Sequence, residues 1–461
     1  GGSGGAIYLE ADVASSALAL NAANGNITFR GNKQGVDFSD LLNPIGGTAN
    51  SIYINDGSHA ATLNLTAGGG SAIYFYDPIA SYNGNTTTIN VNGTSAATAT
   101  EGEVVFSGKD FAAGSSEVKS EIIANTTVWG GSLVLEDNAE FGVKGEGTLL
   151  LKDGAVLLSR STEDFSLSSL SAGTITMEGM SKISAENQSS LSLSGNMILA
   201  AGANAEFSSS DGSEISLGGF AGGSHVVKTG EGSLLLNEIS TMTGNFSVES
   251  GDVLINKENS LQTAGTVSIS KDAQIRNVND GTAQGFKNLQ MEAGSILDMS
   301  ASDLTIAGGS VAGSLRNVSS LIKNGSAADI LTLRGNGALD GISASSSGGI
   351  DVTAGTLELR DMIGTGSFNH TINLADDTVL DLSLGNTDSP NEWGLNITGT
   401  GTVIGSNDYV VINENNMGLQ MAENVYVRVQ ADDPSSQITL NDNNAYKGTT
   451  QVESGILNVS K

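Results

Sequence analysis

Three copies of one pattern, G-x-x-x-V-x-x-G-x-h-x-h with h aliphatic, begin at Gly244, Gly348 and Gly448. The first carries Val248, Gly251, Val253 and Ile255, and the second Val352, Gly355, Leu357 and Leu359. The third carries Val452, Gly455, Leu457 and Val459. Alternating aliphatics around fixed glycines describe a strand, a tight corner and a second strand. Such a unit cannot bury its apolar face alone. Its recurrence predicts a solenoid, in which stacked turns share one core.

The rest of the chain supports this. Strand alternation is clean at Leu63-Asn64-Leu65, Ile89-Asn90-Val91 and Leu191-Ser192-Leu193, and helical periodicity is absent. Leu149-Leu150-Leu151 is denser and reads as a strand buried on both faces. A second recurrence joins aliphatic strand ends through polar corners: Leu135 to Phe141 through Asp137, and Leu151 to Leu157 through Asp153 and Gly154. Asp272, Glu292 and the pair Asp376-Asp377 hold comparable corners further on. Asp, Asn and Gly suit them because they cap turn amides or tolerate positive φ. Corner spacing of roughly 15–30 residues predicts about 15–20 turns, hence a rod of about 70–95 Å at about 4.8 Å per turn.

Composition agrees with a thin core: aromatics are 5 % of the 461 residues, too few to fill a wide globule. No proline-rich linker divides the chain, so residues 1–461 read as a single domain. Residues 1–120 are less regular and hold five of the eight tyrosines, and residues 386–396 and 405–425 read as loop excursions. The chain opens at Gly1 rather than Met, as an excised mature region would.

The formal charge is −30, with acids spread along the whole chain. Such a surface repels nucleic acid and anionic lipid. It reads either as solvation or as an acidic face for a partner with basic patches. With no cysteine, disulfides, thiol catalysis and Cys-ligated zinc are excluded. No apolar run has membrane-spanning length.

Catalytic constellations are hard to find. Gly1-Gly2-Ser3-Gly4-Gly5 matches G-x-S-x-G but lacks the strand, turn and helix of a nucleophile elbow. Asp376-Asp377 and Asn386-Thr387-Asp388 look like fragments of a polygalacturonase signature in reversed order, without its later basic residues. His59, His225 and His370 fit no metal spacing and read as surface or corner residues. Asp432-Asp433 could hold Ca²⁺, but the glycine-rich calcium repeat is absent. The expectation is a non-enzyme without cofactor or metal.

The chain resembles the passenger regions of type V autotransporters of the self-associating adhesin kind. Lys228-Thr229-Gly230-Glu231-Gly232-Ser233-Leu234-Leu235-Leu236, followed by the repeat at Gly244, looks like the passenger-associated repeat. Asn444-Ala445-Tyr446-Lys447-Gly448 matches that repeat's entry, and Lys323-Asn324-Gly325 with Leu331-Thr332-Leu333 gives a looser middle copy. These copies cover residues 225–461. Gly4-Gly5-Ala6-Ile7 and Phe29-Arg30-Gly31-Asn32 also resemble the short motifs of polymorphic outer-membrane proteins. The resemblance implies an all-β, right-handed, single-stranded parallel β-helix of the pectin-lyase type. It also implies a cell-surface location, with anchoring through an outer-membrane barrel that lies outside this chain.

The expected function is a bacterial adhesin that binds a host extracellular-matrix protein such as fibronectin, host glycans, or both. Self-association between cells and a β-helical polysaccharide lyase or hydrolase are the alternatives. The matrix-protein face is assigned to an exposed ladder of Asp137, Asp153, Asp272, Glu292 and Asp376. The glycan site is assigned to Tyr74, Tyr76, Asp77, Tyr82 and Asn83, since tyrosine offers an apolar face to a sugar ring and a polar tip to its hydroxyls. The competing reading of the tyrosines is a plug for the N-terminal core.

Overall fold

The structure, a computed structural model, describes residues 7–10, 16–29, 52–55, 61–76, 79–81, 87–108, 119–122, 124–143, 147–162, 165–343, 349–363, 370–382, 392–393, 395–412, 419–430, 434–435, 437–440 and 449–459. They are almost entirely β, and the strands pair in parallel as a β-solenoid of about 14 turns. Among the described residues there is no α-helix; Ala96–Thr98 and Asn336–Ala338 are single 3₁₀ turns. No described helix is long and apolar enough to cross a membrane.

The chain forms two compact units, residues 1–245 with 251–253, and residues 246–250 with 254–461. In the first, inward side chains align turn upon turn. Leu65, Val91, Val128, Leu151, Met177 and Leu199 pair successively in register and are all buried. A second inward column runs Ile73, Val104, Leu133, Leu157, Ile183 and Phe207. Parallel in-register stacking places like residues over like, so each methyl meets its counterpart in the next turn. Phenylalanines follow the same rule: Phe29 stacks on Phe75 at 5.0 Å and Phe75 on Phe106 at 5.1 Å between ring centroids. In the second unit Leu331, Leu357, Leu380, Val403 and Met421 form the equivalent column.

Successive members of the Leu65 column lie 22 to 37 residues apart. Turns are therefore longer than corner spacing alone predicts, and fewer fit into 461 residues. Each turn has more than one corner, and counting corners overcounts turns.

The repeat glycines sit at corners with left-handed backbone. Gly251, Gly355 and Gly455 have φ of 69°, 72° and 97°. A Cβ on Gly251 would collide with the carbonyls of Gly230 and Gly232 in the preceding turn, and one on Gly355 with those of Asp329 and Ser326. Glycine is required there by both φ and close approach.

Candidate binding surfaces

The corner acids are placed unevenly. Asp153, Asp272, Glu292 and Asp376 are exposed. Asp137 is buried, which corrects its assignment to an exposed ladder. Its carboxylate accepts from the Thr162 amide at 2.6 Å and from the Thr162 hydroxyl, so it is consumed in fixing the next turn. Corner geometry explains this: Asp137 and Asn138 both have left-handed φ, which turns the chain back over its own side chain.

Three of the exposed four also reach neighbouring turns. Asp153 Oδ1 accepts from the Met180 amide at 2.7 Å, and Glu292 Oε2 from the Lys271 amide at 3.0 Å. Asp376 accepts from the Thr400 hydroxyl. Asp272 and Glu292 lie on corners of successive turns, because Ile269 pairs with Met291 just before them. Asp153 belongs to the first unit, and Asp376 lies several turns beyond Glu292 in the second. The structure therefore brings together two of the five acids.

Tyr74 and Tyr76 lie on the outer wall, half-buried, with rings stacked at 6.2 Å and 16°. The phenylalanines Phe75 and Phe106, not these tyrosines, face the core. Tyr74 packs on an outer apolar cluster of Ala72, Val105, Val134 and Leu158, of which Val105, Val134 and Leu158 follow it in register through the next three turns. Asp77, Tyr82 and Asn83 lie outside the described residues, as do His59, Asp432-Asp433, residues 386–388 and the chain end at Gly1–Gly5. His370 is buried rather than a surface residue, its Nε2 3.3 Å from the Ile342 carbonyl. Among the described residues no three His, Cys, Asp or Glu converge as a metal site would require.

Sequence reasoning missed the role of the repeat lysines. Lys228 pairs with Phe207 and so continues the inward column Ile73 to Phe207, where every other member is apolar. It is fully buried, and its ammonium donates to the Thr229 and Gly230 carbonyls at 2.8 Å each. Lys323 is also fully buried and donates to Asn324 O and Ala354 O at 2.7 Å, bridging two turns. Burial pulls the Lys228 ammonium down to about 8, against the attraction of Asp252 and Glu231. Lys323 is lowered for the same reason, opposed by Asp329. Lys323 pairs with Val352, and Val429 with Val452, so the third copy fills the equivalent place with valine. The signal was available: both lysines hold the aliphatic phase of a strand.

A parallel β-solenoid with an apolar spine, and with exposed polar residues on its corners, fits an autotransporter passenger. The comparisons point the same way. The chain is 36 % identical over 199 residues to the probable outer membrane protein pmp8 of Chlamydia pneumoniae, covering 40 % of this chain and 20 % of the relative. It is 31 % identical over 282 residues to the probable autotransporter YfaL of Escherichia coli strain K12, covering 52 % of this chain and 21 % of the relative. Against pmp6 of C. pneumoniae, identity reaches 46 % over 79 residues, 17 % of this chain and 5 % of the relative. The chain thus spans about a fifth of the length of pmp8 and of YfaL. No family model and no solved structure matches it. Its homologues are polymorphic outer-membrane proteins and an autotransporter, which agrees with a cell-surface passenger carried by an outer-membrane barrel.

Proposed function

We propose that this region is the adhesive, non-catalytic passenger of a surface-displayed outer-membrane protein, and that it holds host matrix protein or glycan. The observation that carries the reading is similarity to outer-membrane proteins and an autotransporter in a chain whose repeats build a spine and whose corners carry exposed polar residues. A stacked scaffold of this kind holds its outer residues on rigid strands and leaves its corners free to vary. Exposed carboxylates suit a basic partner, and the stacked Tyr74–Tyr76 pair suits a sugar ring.

The test is a matrix-protein and glycan array probed with the purified region at two salt concentrations. Binding to fibronectin-like proteins should weaken as salt rises. Joint replacement of Asp153, Asp272, Glu292 and Asp376 by Ala should reduce it, whereas single replacements should change little. Glycan signals should be nearly salt-independent and lost in Tyr74→Ala/Tyr76→Ala. An array without signal removes the reading. Release of reducing ends from polysaccharides would replace it with an enzymatic one.

A further inference from the structure

We propose that a groove on the outer wall of the first unit, edged by Phe165 and Leu167, docks an arginine-bearing segment of a partner polypeptide. The inference rests on the adhesive reading and gives its partner a chemistry.

The groove has a volume of about 440 Å³; Phe165, Glu214, Glu231 and Asp252 line it, with three serines and two glycines. One edge of it is apolar, and Phe165 is the one aromatic among the exposed large hydrophobics of the described residues. Phe165 is 57 % exposed and Leu167 48 %, although large side chains elsewhere in the unit mostly face the core. Ser166 between them is buried, so the two flanking side chains share the outer face. Leu167, Ser190, Glu214 and Ser233 then pair in register across four turns. The floor therefore combines strand starts at Ser190, Glu214, Ser233 and Asp252 with the corner residues Gly212, Ser213, Glu231 and Gly232.

Charge complementarity selects the occupant. Three carboxylates, those of Glu214, Glu231 and Asp252, line a concavity beside an exposed aromatic ring. Lys228 is attracted by Asp252 and Glu231, but its ammonium is fully buried and donates to the Thr229 and Gly230 carbonyls, so it does not enter the groove lining. Glu214 keeps its place through the Ser233 hydroxyl, which donates at 3.2 Å. A guanidinium satisfies both halves of such a site. Its flat face stacks on an aromatic ring, and its fork of donors matches carboxylates. A lysine ammonium lacks the flat face. An anionic ligand would meet three carboxylates here and no cationic side chain in the lining, only the hydroxyls of Ser190, Ser213 and Ser233. The aliphatic stem of the arginine would cover Leu167.

The probe is an end-capped, fluorescein-labelled peptide of alternating arginine and glycine, titrated by anisotropy against the whole chain. Phe165→Ala and the pair Glu214→Gln/Asp252→Asn should each weaken its affinity about tenfold or more. Phe165→Tyr should keep most of it. A control pair of the same charge change on exposed acids of the second unit, Glu258→Gln/Asp280→Asn, should alter affinity less than about twofold. The peptide with citrulline for arginine should not bind, and the lysine version should bind more weakly. Thermal midpoints of all variants check that the fold survives. Equal losses in groove and control variants would reduce the effect to bulk attraction by an acidic surface and overturn the proposal. So would an unaltered chain that leaves the peptide unbound at about 1 mM. Attachment of the passenger to matrix protein that survives Phe165→Ala removes the groove and leaves adhesion standing. An unaltered passenger that fails to attach removes adhesion, while the peptide titration still scores the groove.

Discussion

Lys228 is a charged residue in a column built for aliphatics, and its cost can be measured. Its ammonium is held near 8 by burial, below the ordinary lysine value of 10.5. Between those two values the unfolded chain holds a proton that the folded chain does not, so stability rises with pH across that window. Below about pH 8 both states are charged and the burial cost is felt in full. Urea midpoints of the wild type should therefore climb from pH 8 to 10.5, by up to about 3 kcal/mol at constant m. Lys228→Met should flatten that climb. A climb of equal size in the variant would show that another group causes it. The corner glycines make the opposite case. Gly355→Ala forces a Cβ against two carbonyls at φ of 72°. It should cost at least about 2 kcal/mol in the same titration. A neutral effect would mean that the corner relaxes and the repeat glycine is not conformationally fixed.

At the level of elements, turns are joined by more than their backbone ladders. Arg160 Nε donates to Glu136 at 2.9 Å, and its Nη1 lies 3.0 Å from Glu103. Glu136 and Arg160 pair in register, and Glu136 is buried. Removing one member of a buried pair leaves the other uncompensated. Glu136→Ala should therefore cost about 3 kcal/mol, and Glu103→Ala, more exposed, about 1 kcal/mol or less. Equal small effects would mean that water solvates Arg160 as well as its partners do. This scale also shows what the sequence could reveal. Alternation at Leu63, Leu65, Ile89 and Val91 was enough to identify inward columns, because a strand with a two-residue period has only two faces. Asp137 and Asp153 looked alike, since both follow an aliphatic strand end at a polar corner. Their opposite burial follows from backbone φ and from what the next turn offers, the Thr162 amide and hydroxyl in one case and the Met180 amide of an exposed corner in the other. Neither is written in local sequence. The groove was less legible still. Phe165, Glu214 and Asp252 are far apart in the chain and become neighbours only through the register of successive turns.

For the whole molecule, a net charge of −30 and walls built of rigid strands favour partners that are basic or uncharged. Soluble matrix protein should therefore compete with surface-bound protein, and added salt should release it. The adhesive account is tested most directly by displaying the full-length protein on E. coli, beside the same protein lacking residues 1–461. Attachment of the two strains to matrix-protein-coated surfaces and to epithelial monolayers is then counted under flow. The account predicts firm attachment by the first strain, loss of most of it in the second, and competition by the purified region. Equal attachment by both strains, with the displayed barrel intact in each, would contradict it.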